Sequence, residues 1–287
     1  MLDLSDLNLP SSSGVYRFYN KQGTLLYVGK SIHIAQRVQS HYRARHTDAK
    51  EARLVSQTAH IDWTLTAGEI GALLLENQQI KTLLPLYNRR QRKTRQLWTL
   101  SPIIEPGSER VQLVVRAVST EQGESGLYGL FSSKASASKH LRTLIQQFTL
   151  CERVLGLERG NGRCFGHQLG RCRGACCGEE PLAQHNQRLY RALASRQLQA
   201  WGWPGHIVLE EPDLKQPTRS DWHLVSHWAY LGTAPDIPEL THLEHQSRPD
   251  SFDLDAYFIL QKALNTPGLT TYLWRNQRLA PLSATAL

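Results

Sequence analysis

The sequence predicts an α+β protein with a small antiparallel sheet flanked by helices, then a cysteine-rich metal-binding region, then a small C-terminal α+β module. Three observations support this prediction. Residues 14–28 have the pattern of a β-hairpin. Apolar residues recur at helical spacing in several later segments. All five cysteines lie between residues 151 and 177, where glycine and arginine are also frequent.

Composition and charge limit the possible classes of protein. The 287-residue chain is 40% apolar, which is enough for one large or two modest domains with buried cores. It contains no run approaching the ~18 apolar residues of a membrane span, and its acidic start lacks the pattern of a secretory signal. We therefore expect a cytoplasmic protein without a membrane partner. The net charge of +8 is concentrated in residues 14–95, with 14 Lys/Arg against 5 Asp/Glu, which predicts a polyanionic partner.

The predicted hairpin carries two tyrosines. Its first strand, in residues 14–20, is rich in strand-forming residues, and a turn leads into a second strand at 25–28. Tyr16 and Tyr27 belong to these two strands, so their side chains are expected to point to a common place. Tyrosines in such positions usually pack in a core, and the hairpin alone does not distinguish core packing from a site.

The hairpin leads into a helix with a basic face. Gly29 allows close approach of a backbone or a phosphate, and Lys30 lies where a helix N-terminus favours anions. Ser31 is predicted to cap a helix that runs to about Arg45. Arg37 and His41 lie four residues apart on a face separate from the apolar one.

A third strand and a second helix follow. The strand is predicted at 61–66, and the helix ends before Pro85. Thr66 and Glu69 have the spacing of a capping box at the start of this helix. Glu76 lies on the apolar side of the helix, where a carboxylate is costly unless it is paired or holds a metal.

The rest of the chain gives weaker patterns. We predict two strands at 97–104 and 111–117, helices at 132–150 and 181–200, and strands at 207–211 and 222–230. Histidines are frequent beyond residue 220, and we expect them to lie at the surface instead of forming a metal site. They are His223, His227, His242 and His245.

Taken together, the residues of the first 88 positions resemble the GIY-YIG nuclease signature. The two tripeptides are Gly-Val-Tyr at 14–16 and Tyr-Val-Gly at 27–29, with valine in place of both isoleucines. The other motif residues follow in order: Lys30, Arg37, His41, Glu76 and Asn88. The segments around the last two, LLLENQQIK and LPLYN, are similar to the first domain of UvrC-type excision repair nucleases.

The resemblance implies a metal-dependent hydrolysis centred on Glu76. This carboxylate would hold one Mg²⁺, or Mn²⁺ in its place. Lys30 and Arg37 would stabilise charge on the scissile phosphate. Tyr27 would act as general base, with His41 assisting. Because the ordinary pKa of tyrosine is near 10, the pKa of Tyr27 would have to be lowered by Lys30 and Arg37.

The remaining motif residues would support this chemistry. Tyr16 would orient Tyr27 through its hydroxyl, and Asn88 would hold the metal site or the phosphate in place. The basic run after Asn88 is expected to contact the DNA backbone together with Lys30 and Arg37. Its members are Arg89, Arg90, Arg92, Lys93 and Arg95.

The cysteines predict a second metal site. Cys151, Cys164, Cys172 and Cys176 have the spacing C-x12-C-x7-C-x3-C, and Cys177 follows directly. Disulfides are disfavoured in the expected compartment. Zinc ribbons usually have two C-x2-C pairs, which are absent here, and irregular spacing is compatible with a [4Fe–4S] cluster.

This region also resembles the cysteine-rich region of UvrC proteins, where such a cluster is bound. The resemblance implies that the first four cysteines are the ligands and that Cys177 is extra. It favours iron–sulfur over zinc, and zinc stays open as the alternative. In either case the expected role is structural.

The similarity extends over about residues 12–180, and the residues beyond are too few for the second nuclease domain and DNA-binding motifs of a full-length UvrC. We therefore expect a nuclease domain at 1–96, an α/β extension at 97–150, a cluster-binding region at 151–180 and an accessory α+β module at 181–287.

The resemblance implies a repair endonuclease that acts in nucleotide excision repair. It would incise damaged double-stranded DNA on the 3′ side of the lesion, in a complex with UvrB that UvrA has loaded. Two alternatives stay open. One is a branched-DNA GIY-YIG nuclease independent of UvrA and UvrB. The other is a nucleic-acid-binding protein without enzymatic activity.

Overall fold

The structure is a computed structural model that describes residues 2–88, 97–118, 126–198, 201–245, 253–266 and 269–282. The chain forms two compact units. One comprises Met1–Thr94 and Gly202–Leu287, and the other comprises Arg95–Trp201. The predicted α+β class is confirmed, because each unit combines antiparallel sheet with helices.

The first part of the first unit alternates strands and helices. Its elements are β1 (Gly14–Tyr19), β2 (Leu25–Ser31), α1 (Ile34–Ala44), α2 (Ala49–Gln57), β3 (His60–Leu65) and α3 (Glu69–Leu83). The strands form an antiparallel sheet in the order β2-β1-β3. The predicted hairpin, third strand and both helices are therefore present, whereas α2 was not predicted. The predicted cap at Ser31 is wrong, because β2 continues through Lys30 and Ser31, and His33 is the N-cap residue of α1.

This sheet is covered by helices on both faces. Tyr16 and Phe18 belong to a buried cluster with residues of α1 and α2. Val15 and Val28, which replace the signature isoleucines, pack on Ile80 of α3. Successive side chains of a strand point to opposite faces, so the tyrosine of the first tripeptide faces α1 while the adjacent valine faces α3.

The second unit has its own sheet and core. Its elements are β4 (Trp98–Ile104), β5 (Val111–Ala117), β6 (Tyr128–Phe131), α4 (Lys134–Gln147), α5 (Phe165–Gln168) and α6 (Leu182–Ala194). The strand order is β5-β4-β6. Leu189 and Leu193 of α6 pack with Leu100 and Leu113 of the sheet. The structure thus groups α6 with residues 95–201, whereas the sequence pattern placed residue 181 at the start of the last module.

The C-terminal part of the first unit is a five-stranded antiparallel sheet with two helices. Its elements are β7 (His206–Pro212), β8 (Ser220–Ser226), β9 (Ala229–Ala234), α7 (Ile237–Glu244), α8 (Leu254–Leu264), β10 (Thr270–Arg275) and β11 (Arg278–Pro281). The strand order is β11-β10-β7-β8-β9. Leu240 and Leu243 of α7 pack on Val208 and Leu224 of the sheet, and α8 packs against α3.

Two expectations for this part were wrong. Residues 222–230 form two strands instead of one, because the chain reverses at His227 and Trp228, whose φ angles are 51° and 64°. Left-handed backbone at two successive residues is the geometry of a type I′ hairpin turn, which usually carries Asn or Gly. His223, expected at the surface, is fully buried because its ring lies against Gly71 of α3 and the Glu211 carboxylate.

Candidate active site

Tyr16 and Gly29 are partners across the β1–β2 hairpin. A Cβ atom at Gly29 would lie 2.4 Å from the hydroxyl oxygen of Tyr16 and 2.5 Å from its Cζ atom. Non-bonded carbon atoms are most favourably about 3.5–4.0 Å apart. Glycine at position 29 is therefore what allows the Tyr16 ring to lie across the second strand, which explains why the two tripeptides occur together.

The Tyr16 hydroxyl is connected through His41 to Glu51 of α2. His41 Nε2 lies 2.7 Å from the Tyr16 hydroxyl oxygen, and Nδ1 lies 2.7 Å from Glu51 Oε2. Burial lowers the pKa of His41, although the Glu51 carboxylate opposes this shift, so the ring is neutral at neutral pH. Because a carboxylate only accepts, Nδ1 carries the proton and Nε2 accepts the proton of Tyr16. His41 thus orients Tyr16.

Tyr27 lies beside these groups. Its ring centroid is 6.1 Å from that of Tyr16 and 5.3 Å from that of His41. Burial and the nearby Glu76 carboxylate raise the pKa of Tyr27, and the Arg37 guanidinium opposes the rise without cancelling it. Arg37 thus acts in the expected direction, and a lowered pKa of Tyr27 in the working site stays a prediction.

Glu76 faces the outer edge of β2. Its Oε1 accepts a hydrogen bond of 3.0 Å from the backbone amide of Lys30. Burial raises the pKa of Glu76, while the Lys30 amide and the charges of Lys30 and Arg37 oppose the rise. The Lys30 side chain forms an ion pair with Glu69 at the start of α3, with 2.6 Å between the Lys30 ammonium nitrogen and Glu69 Oε1.

The Asn88 side chain forms hydrogen bonds with the backbone of strand β2. Its Oδ1 accepts from the amide of Val28 at 3.0 Å, and its Nδ2 donates to the Val28 carbonyl at 2.9 Å. The side chain thus completes the hydrogen bonding of an edge-strand residue beside Tyr27 and Gly29. Asn88 is 6% exposed, so it supports the site from within.

The basic run predicted to bind DNA lies outside the described residues. Its members are Arg89, Arg90, Arg92, Lys93 and Arg95. Lys30 and Arg37 are described, and both are near the Glu76 carboxylate.

The four predicted cysteine ligands come together in the second unit. The Sγ atoms of Cys151, Cys164, Cys172 and Cys176 all lie within 4.8 Å of one another. Backbone amides also point at the sulfurs, including His167 N at 3.2 Å from Cys164 Sγ. Such N–H groups favour the thiolate form.

The sulfur spacing fits a metal site. The Cys151–Cys164 and Cys164–Cys172 sulfur distances are 3.7 and 3.4 Å. A Zn–S bond of ~2.3 Å in a tetrahedron gives sulfurs ~3.8 Å apart. A four-iron cluster binds each cysteine to a different iron and needs wider spacing. Burial raises the pKa of the Cys172 thiol to about 11, so a bound cation is needed to hold it as a thiolate.

Sequence reasoning missed two acidic residues of the nuclease site. Glu51 holds His41, and Glu69 holds Lys30. Glu51 lies ten residues after His41 on the unpredicted helix α2, so no local spacing connects them. Glu69 was assigned to a capping box. The only signal in the sequence that could have suggested its ion pair with Lys30 was its negative charge.

The two tyrosines of the hairpin and the nearby carboxylate of Glu76 on α3 carry the GIY-YIG signature, and the chain is an enzyme of this nuclease class. Residues 12–89 match the family model of the UvrC-like GIY-YIG domain. Residues 103–195 match that of the UvrC/Cho excinuclease middle domain, and residues 206–284 match that of the excinuclease Cho C-terminal domain.

Full-length relatives agree with these matches. The chain is 38% identical over 261 residues to excinuclease Cho of Escherichia coli strain K12, which covers 90% of this chain and 84% of that protein. The chain therefore belongs to the excinuclease Cho family. It is also 34% identical over 192 residues to UvrABC system protein C of Flavobacterium johnsoniae, covering 66% of this chain and 32% of that longer protein.

A solved structure is similar to the first part of the chain. It is the N-terminal endonuclease domain of Thermotoga maritima UvrC bound to magnesium. It is 30% identical, covers 29% of this chain and 89% of that domain, and has a TM-score of 0.27. Within the described ranges, no helix has both the length and the apolar character needed to cross a bilayer. The cytoplasmic location stays a prediction.

Proposed function

We propose that this enzyme hydrolyses one phosphodiester bond on the 3′ side of a lesion in damaged double-stranded DNA, in nucleotide excision repair. Its substrate is DNA onto which UvrA has loaded UvrB. The names of the relatives, excinuclease Cho and UvrABC system protein C, support a role in excision repair. The nuclease chemistry rests on one observation: the Glu76 carboxylate lies close enough to Tyr16, Tyr27 and Arg37 to interact with them electrostatically.

The environment of Glu76 fits a divalent cation. The carboxylate is partly buried, its pKa is raised by that burial, and its hydrogen bond with the Lys30 amide uses one of its two oxygens. A carboxylate has about four lone-pair sites, so it retains capacity for a metal or its waters. A bound Mg²⁺ or Mn²⁺ would stabilise charge on the scissile phosphate and on the leaving 3′ oxygen.

The other residues position the reactants and move the proton. Arg37 stabilises the phosphate charge, and the backbone amide of Lys30 fixes the Glu76 carboxylate. Tyr27 takes the proton of the attacking water. His41 holds the Tyr16 hydroxyl, so that Tyr16 orients Tyr27 instead of exchanging protons with solvent. Because the pKa of Tyr27 is raised even beside Arg37, this base needs the additional positive charge that a metal held by Glu76 would supply.

The four cysteines hold a structural metal centre in residues 95–201. The distances between their sulfur atoms support a site with four thiolate ligands. The iron–sulfur cluster stays a prediction, and metal analysis of the purified protein would distinguish it from zinc. The basic residues 89–95 contact the DNA backbone without reading sequence.

An incision assay tests this function. An end-labelled duplex with one bulky lesion is incubated with Mg²⁺ and the enzyme, with and without UvrA and UvrB. We expect a single cut 3′ of the lesion that depends on UvrB. Glu76→Ala abolishes the cut, and Gln78→Ala, which changes an exposed side chain of the same helix, preserves it.

Other outcomes separate the alternatives. Equal cutting without UvrA and UvrB, or cutting that follows branches instead of lesions, would keep the nuclease and reject the repair substrate. Binding of duplex without any Mg²⁺-dependent cut would favour a nucleic-acid-binding protein.

A further inference from the structure

Helix α3, which carries Glu76, begins without a cap from its own sequence. Thr66 and Glu69 do not form the predicted capping box, because Thr66 donates its hydroxyl to the Gly68 carbonyl and Glu69 pairs with Lys30. Gly68 occupies the N-cap position and has no side chain to accept a hydrogen bond. The amides of the first turn therefore need acceptors from elsewhere.

Glu211 of the C-terminal module supplies these acceptors. Its two carboxylate oxygens accept from Ile70 N and Gly71 N, each at 2.8 Å. A Cβ atom on Gly68 would lie 2.3 Å from Glu211 Oε1, so the glycine is what permits this close approach. A carboxylate at this end of a helix also interacts favourably with the helix dipole.

Glu211 is itself fixed by buried neighbours. His223 Nε2 lies 3.1 Å from Glu211 Oε2, and His223 Nδ1 lies 2.7 Å from the hydroxyl of Thr233. Asp221, on the same strand as His223, accepts from Ala67 N at 2.7 Å. The backbone amides at the N-terminus of α3 are therefore hydrogen-bonded to carboxylates of β7 and β8, and β8 and β9 hold Glu211 in position through His223 and Thr233.

The module makes a second contact directly beside Glu76. Asn77 Nδ2 donates to Asp253 Oδ2 at 2.6 Å, and Lys81 pairs with both Asp253 and Asp255. Asp253 is also the N-cap residue of α8, so its carboxylate has a fixed position.

We propose that the C-terminal module positions the metal-binding carboxylate of the nuclease site, with Glu211 and Asp253 as positioning residues. The first turn of α3 holds Glu69, which fixes the Lys30 side chain, and the amide of Lys30 binds Glu76. Opening of that turn displaces both the helix that carries Glu76 and its partner. This inference rests on the proposed function of Glu76 as a metal ligand.

The test compares two matched pairs of variants in the full chain. Glu211→Gln keeps the size of the side chain but removes the charge and one acceptor, and Glu210→Gln makes the same change on the neighbouring residue, which bonds Ser220 and Tyr272 instead of α3. Asp253→Asn is paired with Asp236→Asn, the same change at the N-cap residue of α7, whose carboxylate accepts from Glu239 N instead of contacting α3. The second pair keeps the test valid if the first target variant does not fold.

Two readouts are measured for every variant. Hydrogen–deuterium exchange reports opening of residues 69–76. A Mg²⁺ titration of cleavage reports the half-saturating concentration, with duplex affinity measured separately in EDTA. In Glu211→Gln and Asp253→Asn we expect faster exchange in α3 and a half-saturating Mg²⁺ concentration raised about 10-fold, which corresponds to ~1.4 kcal/mol. Saturating Mg²⁺ restores the maximal rate, duplex affinity is unchanged, and the control variants match wild type.

Three results would overturn the proposal. The first is unchanged exchange in α3. The second is a lower maximal rate with an unchanged Mg²⁺ requirement, which is the mark of a merely structural role, while wild type cleaves and Glu76→Ala does not. The third is a wild type without Mg²⁺-dependent cleavage, which refutes the proposed function itself and with it the inference built on it.

Discussion

Substituting Gly29 with alanine perturbs the centre of the nuclease site without touching a charged group. The new Cβ would lie 2.4 Å from the Tyr16 hydroxyl oxygen and 2.7 Å from Cε1 of Tyr27. Tyr16 is fully buried, so its ring has little free space into which to move. Either the strands separate locally or the Tyr16 ring shifts.

The size of the effect follows from these distances. Relief of the clash to ~3.5 Å requires the hydroxyl to move by ~1 Å. The hydrogen bond between Tyr16 and His41 then stretches from 2.7 Å past the ~3.0 Å limit of a good O–H hydrogen bond. Overpacking of a core costs about 1–3 kcal/mol, and a misplacement of ~1 Å can cost about 10²-fold in rate. We therefore expect a folded protein with about 10²-fold slower cleavage.

The assay combines urea unfolding with single-turnover cleavage of the UvrB-loaded lesion duplex at saturating Mg²⁺. Gly23→Ala is the control, because its Cβ meets nothing within 4 Å and the residue lies in the hairpin turn with φ 77°. That variant measures the cost of losing a glycine in the same hairpin. Cleavage by Gly29→Ala within threefold of wild type would refute the role given to Tyr16.

Three further predictions follow from other contacts. Glu51→Gln removes the charged acceptor of His41 Nδ1–H and should slow cleavage roughly 10²-fold with unchanged duplex affinity, whereas equal rates would exclude this role for Glu51. Cys164→Ser should lose most of the bound metal in elemental analysis, while Cys177→Ser keeps it, and retention by both would reject the four-cysteine site. Although burial would raise the pKa of Glu211, its contacts with His223 and the α3 amides hold that pKa below the ordinary value, so this stabilisation is complete above the ordinary Glu pKa and is lost as the pH falls through the lowered one. The melting temperature of wild type should therefore drop more steeply below about pH 5 than that of Glu211→Gln, and parallel curves would contradict the linkage.

The elements that the sequence predicted correctly are those defined by short-range patterns. The hairpin is defined by strand formers around a turn, and α3 by helical periodicity ending at Pro85. The residues of the GIY-YIG motif except Asn88 lie on the hairpin, α1 and α3, so the sequence pattern alone identifies them. The sequence did not predict the physical role of all of them. Asn88, for example, forms hydrogen bonds with the backbone of Val28, sixty residues earlier.

What the sequence did not predict depends on long-range polar contacts. Glu211 caps a helix that begins about 140 residues earlier. The residues around a buried carboxylate on a strand do not indicate which distant group it contacts. His223 was expected at the surface for the same reason, since a histidine buried between hydrogen-bonding partners has the same local pattern as an exposed one. The turn at His227 and Trp228 lacks the glycine or asparagine that usually indicates a hairpin.

We propose above that Glu76 holds the catalytic metal near the two tyrosines. Crystals of the full chain grown with Mn²⁺, measured for its anomalous scattering, would test it most directly. We expect an anomalous peak with a Glu76 carboxylate oxygen ~2.2 Å away, and we expect Glu76→Ala to lose this peak. A peak at another carboxylate, such as Glu69, with none at Glu76, would contradict it.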